Sequence, residues 1–495
     1  MSSLRVTEFL RFPAFMFFLC ISLLHAVEAI FQGAFRSQGE PVAVTGKQRI
    51  EDHGDSYLTI RIDVGYQTLR MIPDSGSFDI YLIDGDDCRM TLCKPSYRPK
   101  HSKSHKSLIT NPVRRDIYFG SGACSVLLGY DQVRVHDDNV DGNFIQEVKQ
   151  RQLVPLWQID SMDDDMLSVW GDGYGFQGIV GLGFKGGSGR SSSESVKEQA
   201  AANELGAPLP SIASKLLFTH VFAICLPRGD VATALGDDAV PGTSQQGMIW
   251  WGSNSIPSLN WNMTAKVVGE RHWTLSMKES YFRDSEGKEF SFCEAPCAGL
   301  VDSGTSLLAM GAEYIDDILD NTKIGTLNED CSNIKDMPDL VIDIGKDQKL
   351  VLSPETYVMK ISRKILSFSG KVSIGKGKVI FLRKKVKTSF IELVDDRDDS
   401  SVCTYAFMES PITEALVQGD KHNVIILGIP LFREYTIKFD RDEETMSFAQ
   451  HEEGENCSGM KQAPVASLSQ AGHRQPRDRD IRVISSLESL RFPIF

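Results

Sequence analysis

The chain has 495 residues, of which 41% are hydrophobic and 24% charged, the balance of a globular protein able to bury a large core. Its formal net charge is −13 and its isoelectric point about 5.3. That excludes the basic footprint of a nucleic-acid binder and suits an acidic compartment, where carboxylates are partly neutralised.

Residues 1–29 read as a secretory signal peptide. Arg5 and Arg11 precede an apolar run from Phe12 to Val27, interrupted at Pro13, Ser22 and His25, and Val27-Glu28-Ala29 supplies a small-residue cleavage site. The run is short for a membrane span, and no later stretch is long and apolar enough, so no stable transmembrane anchor is expected. The destination is the secretory pathway, either the extracellular space or an acidic vacuole- or lysosome-like compartment. Export makes disulfides available to the ten cysteines. Cys20 leaves with the signal. Cys88 and Cys93, and Cys293 and Cys297, have spacings that suit small closed loops. Cys331 and Cys403 remain as a long-range pair, while Cys124, Cys225 and Cys457 have no evident partner. Asn262 and Asn456 begin sequons and are candidate glycan sites.

Tyr57–Val64, Ser125–Val135 and Tyr435–Asp440 alternate apolar and polar residues as strands do. Helical periodicity is confined to Pro210–Leu217 and Glu313–Asn321. Many short strands and few helices predict a sandwich or barrel-like β protein. Three segments read as solvated surface loops: basic Lys94–Arg115 with His101 and His105, acidic Asp160–Asp165, and Lys185–Glu204, rich in Gly, Ser and charge. The polar tail after Gln450 reads as disordered.

Two stretches are near copies. Ile72-Pro73-Asp74-Ser75-Gly76-Ser77 and Leu300-Val301-Asp302-Ser303-Gly304-Thr305 each place an acid before Ser-Gly-Ser/Thr, with the acids 302 − 74 = 228 residues apart. Equivalent loops from two lobes can bring such acids together. Two close carboxyls cannot both ionise cheaply, so they share a proton, one serving as base and one as acid. That pairing suits attack of an activated water on a peptide bond. Gly178–Gly183 follows the first motif and Ile425–Phe432 the second; each carries a glycine that permits close passage beneath an acid loop.

From about Tyr57 to Ala449 the chain resembles the pepsin-like aspartic proteases. The resemblance rests on the twin acid motifs, Cys88/Cys93, Gly120-Ser-Gly122, Gly129-Tyr-Asp131, Gly178–Gly183, Val221–Leu226, Cys293/Cys297, Cys331/Cys403 and Ile426-Leu-Gly428, in that family's order and spacing. It implies a mostly β, bilobal fold with an active-site cleft between pseudo-symmetric lobes. Here these would be an N-terminal lobe with a flap (46–256) and a C-terminal lobe (257–450), with 451–495 left as the tail. It also implies the disulfides Cys88–Cys93, Cys293–Cys297 and Cys331–Cys403. Asp74 and Asp302 would be the catalytic pair. Gly76 and Gly304 would donate N–H bonds to the carboxylates, Ser77 and Thr305 would bond their outer oxygens, and Ser75 and Ser303 would link the loops beneath. No cofactor or metal is called for. The partners would be protein or peptide substrates and statine-type inhibitors, acting on a monomer.

Alignment of Gly120, Ser121 and Gly122 with the family's flap puts Phe119 where tyrosine is usual, with Tyr118 on the opposite strand face. Tyr81 stands where tryptophan is common. Ile72, Phe119, Phe176 and Ile179 match positions lining the pocket for the side chain before the scissile bond; Ile72 and Ile179 serve equally well as core residues. Ile429, where relatives often carry a polar or acidic residue, would either raise the pKa of Asp302 by desolvation or pack in the core without touching the dyad. The basic pro-segment usual in zymogens of the family is reduced here to about fifteen residues, within 30–45. Two other functions compete: a catalytically silent pepsin-like binding protein, and a two-carboxylate glycoside hydrolase, which leaves the twin Ser-Gly-Ser/Thr contexts unexplained.

Overall fold

The structure, a computed structural model, describes residues 46–53, 57–85, 96–107, 112–119, 122–136, 138, 144–146, 153–163, 175–184, 220–228, 247–320, 324–362, 374–375, 378–379, 401–410, 414–417, 420–451 and 457. The signal sequence, the short segment 30–45, Cys88 and Cys93, Gly120 and Ser121, Asn456, the segment 185–204 and the expected helix 210–217 lie outside the described residues.

Strands dominate, and the two acid motifs end strands with matching neighbours. Gln67–Asp74 pairs antiparallel with Leu58–Val64 and parallel with Gly178–Gly181, Asp74 standing opposite Gly181. Glu289–Val301 pairs antiparallel with Thr274–Arg283 and parallel with Asp420–Leu427, Val301 standing opposite Leu427. Both acid strands are therefore interior to their sheets. Leu58–Val64 buries every residue except Arg61, with Thr59 and Asp63 as buried polar residues on the same face. Ser125–Val135 divides at Gln132 into Gly122–Asp131 and Val133–His136.

One sheet runs from Met263–Lys266 through Thr445–Gln450, Tyr435–Asp440, Val221–Cys225 and Gly247–Trp251 to Gly46–Asp52. It joins strands from both ends of the chain. Within it Phe222 stacks on Phe439 at 4.7 Å, and Trp273 packs edge-on against Phe439 at 5.0 Å. The C-terminal helix expected at Glu313–Asn321 forms as Ala312–Asp320, burying Ile315 and Ile318 on one side. Among the described residues no helix is long and apolar enough to cross a membrane.

Four expectations are corrected. Cys225 and Cys457 form a disulfide 232 residues apart in sequence, so neither lacks a partner. The tail is not free from Gln450 onward, because His451 bonds Thr436 and the Arg433 carbonyl, and Cys457 is buried. Part of the basic segment is packed: Tyr97 is fully buried, and its hydroxyl donates to Asp131. The acidic segment 160–165 begins as strand, since Val154–Met162 runs through Asp160, which pairs with Arg114 at 2.7 Å. In both segments aromatic or paired charged residues secure backbone that composition alone assigned to solvent. Cys293–Cys297 and Cys331–Cys403 are joined, and Cys124 is a buried free thiol.

Candidate active site

The two acid loops bond to each other through their serines. The Ser75 N–H donates to Ser303 Oγ at 3.1 Å, and the Ser303 N–H donates to Ser75 Oγ at 2.9 Å. Each hydroxyl then donates into the opposite strand, Ser75 Oγ to the Val301 carbonyl at 3.0 Å and Ser303 Oγ to the Pro73 carbonyl at 2.6 Å. Both hydroxyls thus act as donor and acceptor in a fully buried place, where an unmade bond would be costly. The exchange is symmetric, so the loops face each other across a pseudo-two-fold axis.

The carboxyls sit directly above this link. The Gly76 N–H donates to Asp74 Oδ1 at 2.8 Å, and the Gly304 N–H donates to Asp302 Oδ1 at 2.9 Å. Glycine is required at position 76 by contact: a Cβ there would lie 2.7 Å from the Asp302 carboxyl. Gly181 and Gly428 pass under the loops as expected from the sequence. A Cβ on Gly181 would fall 2.5 Å from the Asp79 nitrogen, and one on Gly428 2.3 Å from the Thr305 carbonyl oxygen.

The symmetry breaks at the outer oxygens. Thr305 Oγ1 donates to Asp302 Oδ2 at 2.5 Å. Its counterpart differs from expectation, because Ser77 Oγ and Asp74 Oδ2 are buried and make no hydrogen bond. Electrostatics follow this difference. Burial lifts the Asp74 carboxyl well above the usual carboxylate range, and the neighbouring Asp302 charge adds to it; the nearby Ser77 hydroxyl and the Gly76 N–H offset only part. Burial also raises Asp302, but the Thr305 hydroxyl, the contact with Asp74 and the Gly304 and Gly76 N–H groups oppose it. Asp302 therefore receives more hydrogen bonds than Asp74, and the two buried carboxyls titrate as one coupled pair.

An apolar row lies beside Asp74. Register aligns Ile72 with Ile179, Ile179 with Tyr81, and Tyr81 with Trp157 on adjacent strands. These residues and Phe176 belong to one buried cluster, against which Ile117 and Phe119 pack. Phe119 meets Tyr81 edge-to-face at 5.3 Å, while Tyr118 is 80% exposed. Ile429 donates its backbone N–H to the Thr305 carbonyl at 2.9 Å, and its side chain joins the main core cluster.

Several neighbours carried no signal in the sequence. His272 packs its ring on Phe78 at 4.8 Å, next to the acid loop that Phe78 follows. Its adjacent residue Trp273 accepts the Val301 N–H, one residue before Asp302. Burial, with a smaller push from Arg271, lowers the His272 pKa to about 4, so the ring is neutral in mildly acidic solution. Asp79 and Arg115 form a buried ion pair beside Tyr81. Only the alternation that turns Arg115, Ile117 and Phe119 to one strand face could have indicated it.

A family profile described as eukaryotic aspartyl protease matches residues 56–376. The chain is 24% identical over 325 residues to cathepsin D of Dictyostelium discoideum, covering 63% of this chain and 73% of that protein. It is 24% identical over 306 residues to pepsin A of Gallus gallus, covering 61% and 70%. With gastricsin of Cavia porcellus the identity is 23% over 301 residues, covering 59% of this chain and 64% of that protein. With its mostly β, two-lobed architecture and its paired acid loops, the chain belongs to the eukaryotic aspartyl protease family.

Proposed function

We propose that this protein is an aspartic endopeptidase in which Asp74 and Asp302 activate a water for attack on a peptide bond. The observation that carries the reading is the pair of buried acids on serine-crossed loops, one carboxyl better supplied with hydrogen bonds than the other. Asp302, ionised, takes a proton from the water as it attacks the carbonyl carbon. Asp74, protonated, donates to the carbonyl oxygen, so the tetrahedral intermediate forms without a free charge. The proton gained by Asp302 then passes to the leaving nitrogen, the C–N bond breaks as Asp74 takes back a hydroxyl proton from the collapsing intermediate, and the dyad returns to its single shared proton.

Phe119, half-buried against Tyr81 and backed by the core residues Ile72, Phe176 and Ile179, favours an apolar or aromatic side chain before the scissile bond. The catalytic lobes are residues 46–256 and 257–450. Residues 1–29 direct the chain into the secretory pathway, toward an extracellular or acidic compartment. Asn262 is exposed, and its sequon and the one at Asn456 are candidates for glycosylation there.

The test is digestion of casein at about pH 4 to 6 by the wild type and by Asp74→Asn and Asp302→Asn, with and without a statine-type inhibitor. Hydrolysis that is abolished by the inhibitor and by either substitution is the expected result, because a fixed amide cannot trade the proton. Inhibitor binding without hydrolysis by the wild type would identify a silent binding protein. Near-wild-type hydrolysis by either variant would remove the dyad from the chemistry.

A further inference from the structure

We propose that Arg115 is a positioning residue for the acid site: paired with Asp79, it fixes the inner face of the Arg114–Phe119 strand against the sheet that carries Asp74. The inference rests on the endopeptidase reading above and deepens it. Along this strand Arg114, Asp116 and Tyr118 are exposed, while Arg115, Ile117 and Phe119 turn inward. Arg115 Nη2 lies 3.2 Å from Asp79 Oδ2, with side-chain exposures of 9% and 5%. The same nitrogen reaches Tyr81 Oη at 3.5 Å, and the guanidinium carbon sits 4.3 Å over the Trp157 ring. Asp79 is five residues beyond Asp74, and its carbonyl accepts the Gly181 N–H at 2.9 Å. Charge on the strand is thus tied to the segment that leaves the first acid and to the strand that passes beneath it.

Two features make this a device for position and not just for packing. A buried ion pair adds little net stability over apolar residues of the same volume, whereas losing one partner strands a buried charge. The pair therefore penalises displacement more than it rewards folding. Strand side chains also alternate faces, so a one-residue slip would turn Arg115 outward and leave Asp79 uncompensated. The retained register puts Phe119, and not Tyr118, against Tyr81 and the row that begins at Ile72. Phe119 has no hydroxyl with which to hold that place. The guanidinium, four residues back on the same face, supplies a charged hold instead.

The experiment compares wild type, Asp79→Asn/Arg115→Met and Arg115→Lys. The double variant removes both charges, so it avoids an orphaned buried ion and is expected to keep a melting temperature near that of the wild type. Its kcat/KM for a peptide substrate is expected to fall about tenfold, chiefly through KM, with a matching loss of affinity for a statine-type inhibitor. Arg115→Lys keeps the charge but not the planar fork over Trp157, and is expected to give an intermediate KM. A double variant with kcat/KM and inhibitor affinity both within about twofold of wild type would overturn the proposal. Should the double variant not fold, a wild-type KM in Arg115→Lys would do the same. Amide hydrogen exchange across Arg114–Phe119 separates this inference from the one beneath it. If the wild type hydrolyses nothing, the endopeptidase reading fails alone. Faster exchange in the variants would still support the positioning role, and unchanged exchange would refute it.

Discussion

Asp74 and Asp302 occupy near-identical backbone settings, yet one hydroxyl separates their chemistry. Thr305 donates to the Asp302 carboxyl at 2.5 Å, whereas Ser77 Oγ makes no hydrogen bond to Asp74. A bond to the charged form lowers a carboxyl pKa, so its loss raises it. Thr305→Val should therefore raise the Asp302 pKa. In the proposed mechanism activity appears as Asp302 ionises, so the acidic limb of kcat/KM against pH should move to higher pH. Ser77→Ala should leave that limb in place. Equal displacement of the acidic limb in both variants would show that the two hydroxyls are equivalent and that the assignment of base and acid is wrong. At this scale the sequence was most informative, because each motif fixes its own loop, Gly76 and Gly304 bonding the acid two residues earlier, and because the motif's repetition announces that Ser75 and Ser303 meet across 228 residues. Ser77 is the exception, since two matching letters did not yield two matching bonds.

At the scale of elements, the Cys225–Cys457 disulfide closes the Val221–Cys225 strand against the chain beyond Thr445–Gln450. Trp250, Met248 and Ala223 bury it. With 232 residues between the cysteines, the chain-entropy account gives an upper stabilisation of about 5 kcal/mol, a value that depends on that model. Cys457→Ser should lower the denaturation midpoint, and non-reducing peptide mapping of the wild type should recover the linked peptides. Recovery of Cys225 as a free thiol would contradict the topology. Nothing in spacing could have selected this pair from the three cysteines left over, because the partners meet only after Tyr435–Asp440 has paired with Val221–Cys225. The packed part of the basic segment escaped the sequence for a similar reason. Tyr97 reads as a loop residue until Asp131, 34 positions away, accepts its hydroxyl. Alternation, by contrast, found Leu58–Val64 and Tyr435–Asp440 because burial on a strand is written locally.

Across the whole molecule, the far end of the chain supports the first acid. Arg441, in the turn after Tyr435–Asp440, donates to the carbonyls of Leu182 at 2.9 Å and Gly183 at 3.0 Å, in the segment that runs on from beneath the Asp74 loop. Trp273 Nε1 shares the Leu182 carbonyl at 2.9 Å. Burial lowers the Arg441 pKa to about 10, which still leaves it charged in acid and at neutrality. Arg441→Met should fill much of the same space beside the Phe222 and Trp273 rings, over which the guanidinium sits, but strip buried carbonyls of a charged donor. The expected cost is about 3 kcal/mol in denaturant titration, and a loss below roughly 1 kcal/mol would show that the link is incidental. The exchanged bonds of Ser75 and Ser303 have a further, mechanical consequence. They lie close to the line that relates one half of the molecule to the other, and a joint set on an axis has no lever arm. Any rocking of the halves would swing their outer edges more than it would change the spacing of the two acids. In the proposed endopeptidase the serine crossing would work like the pin of a pair of pliers: the jaws would take in peptides of different bulk, and the cutting point would stay in the same place.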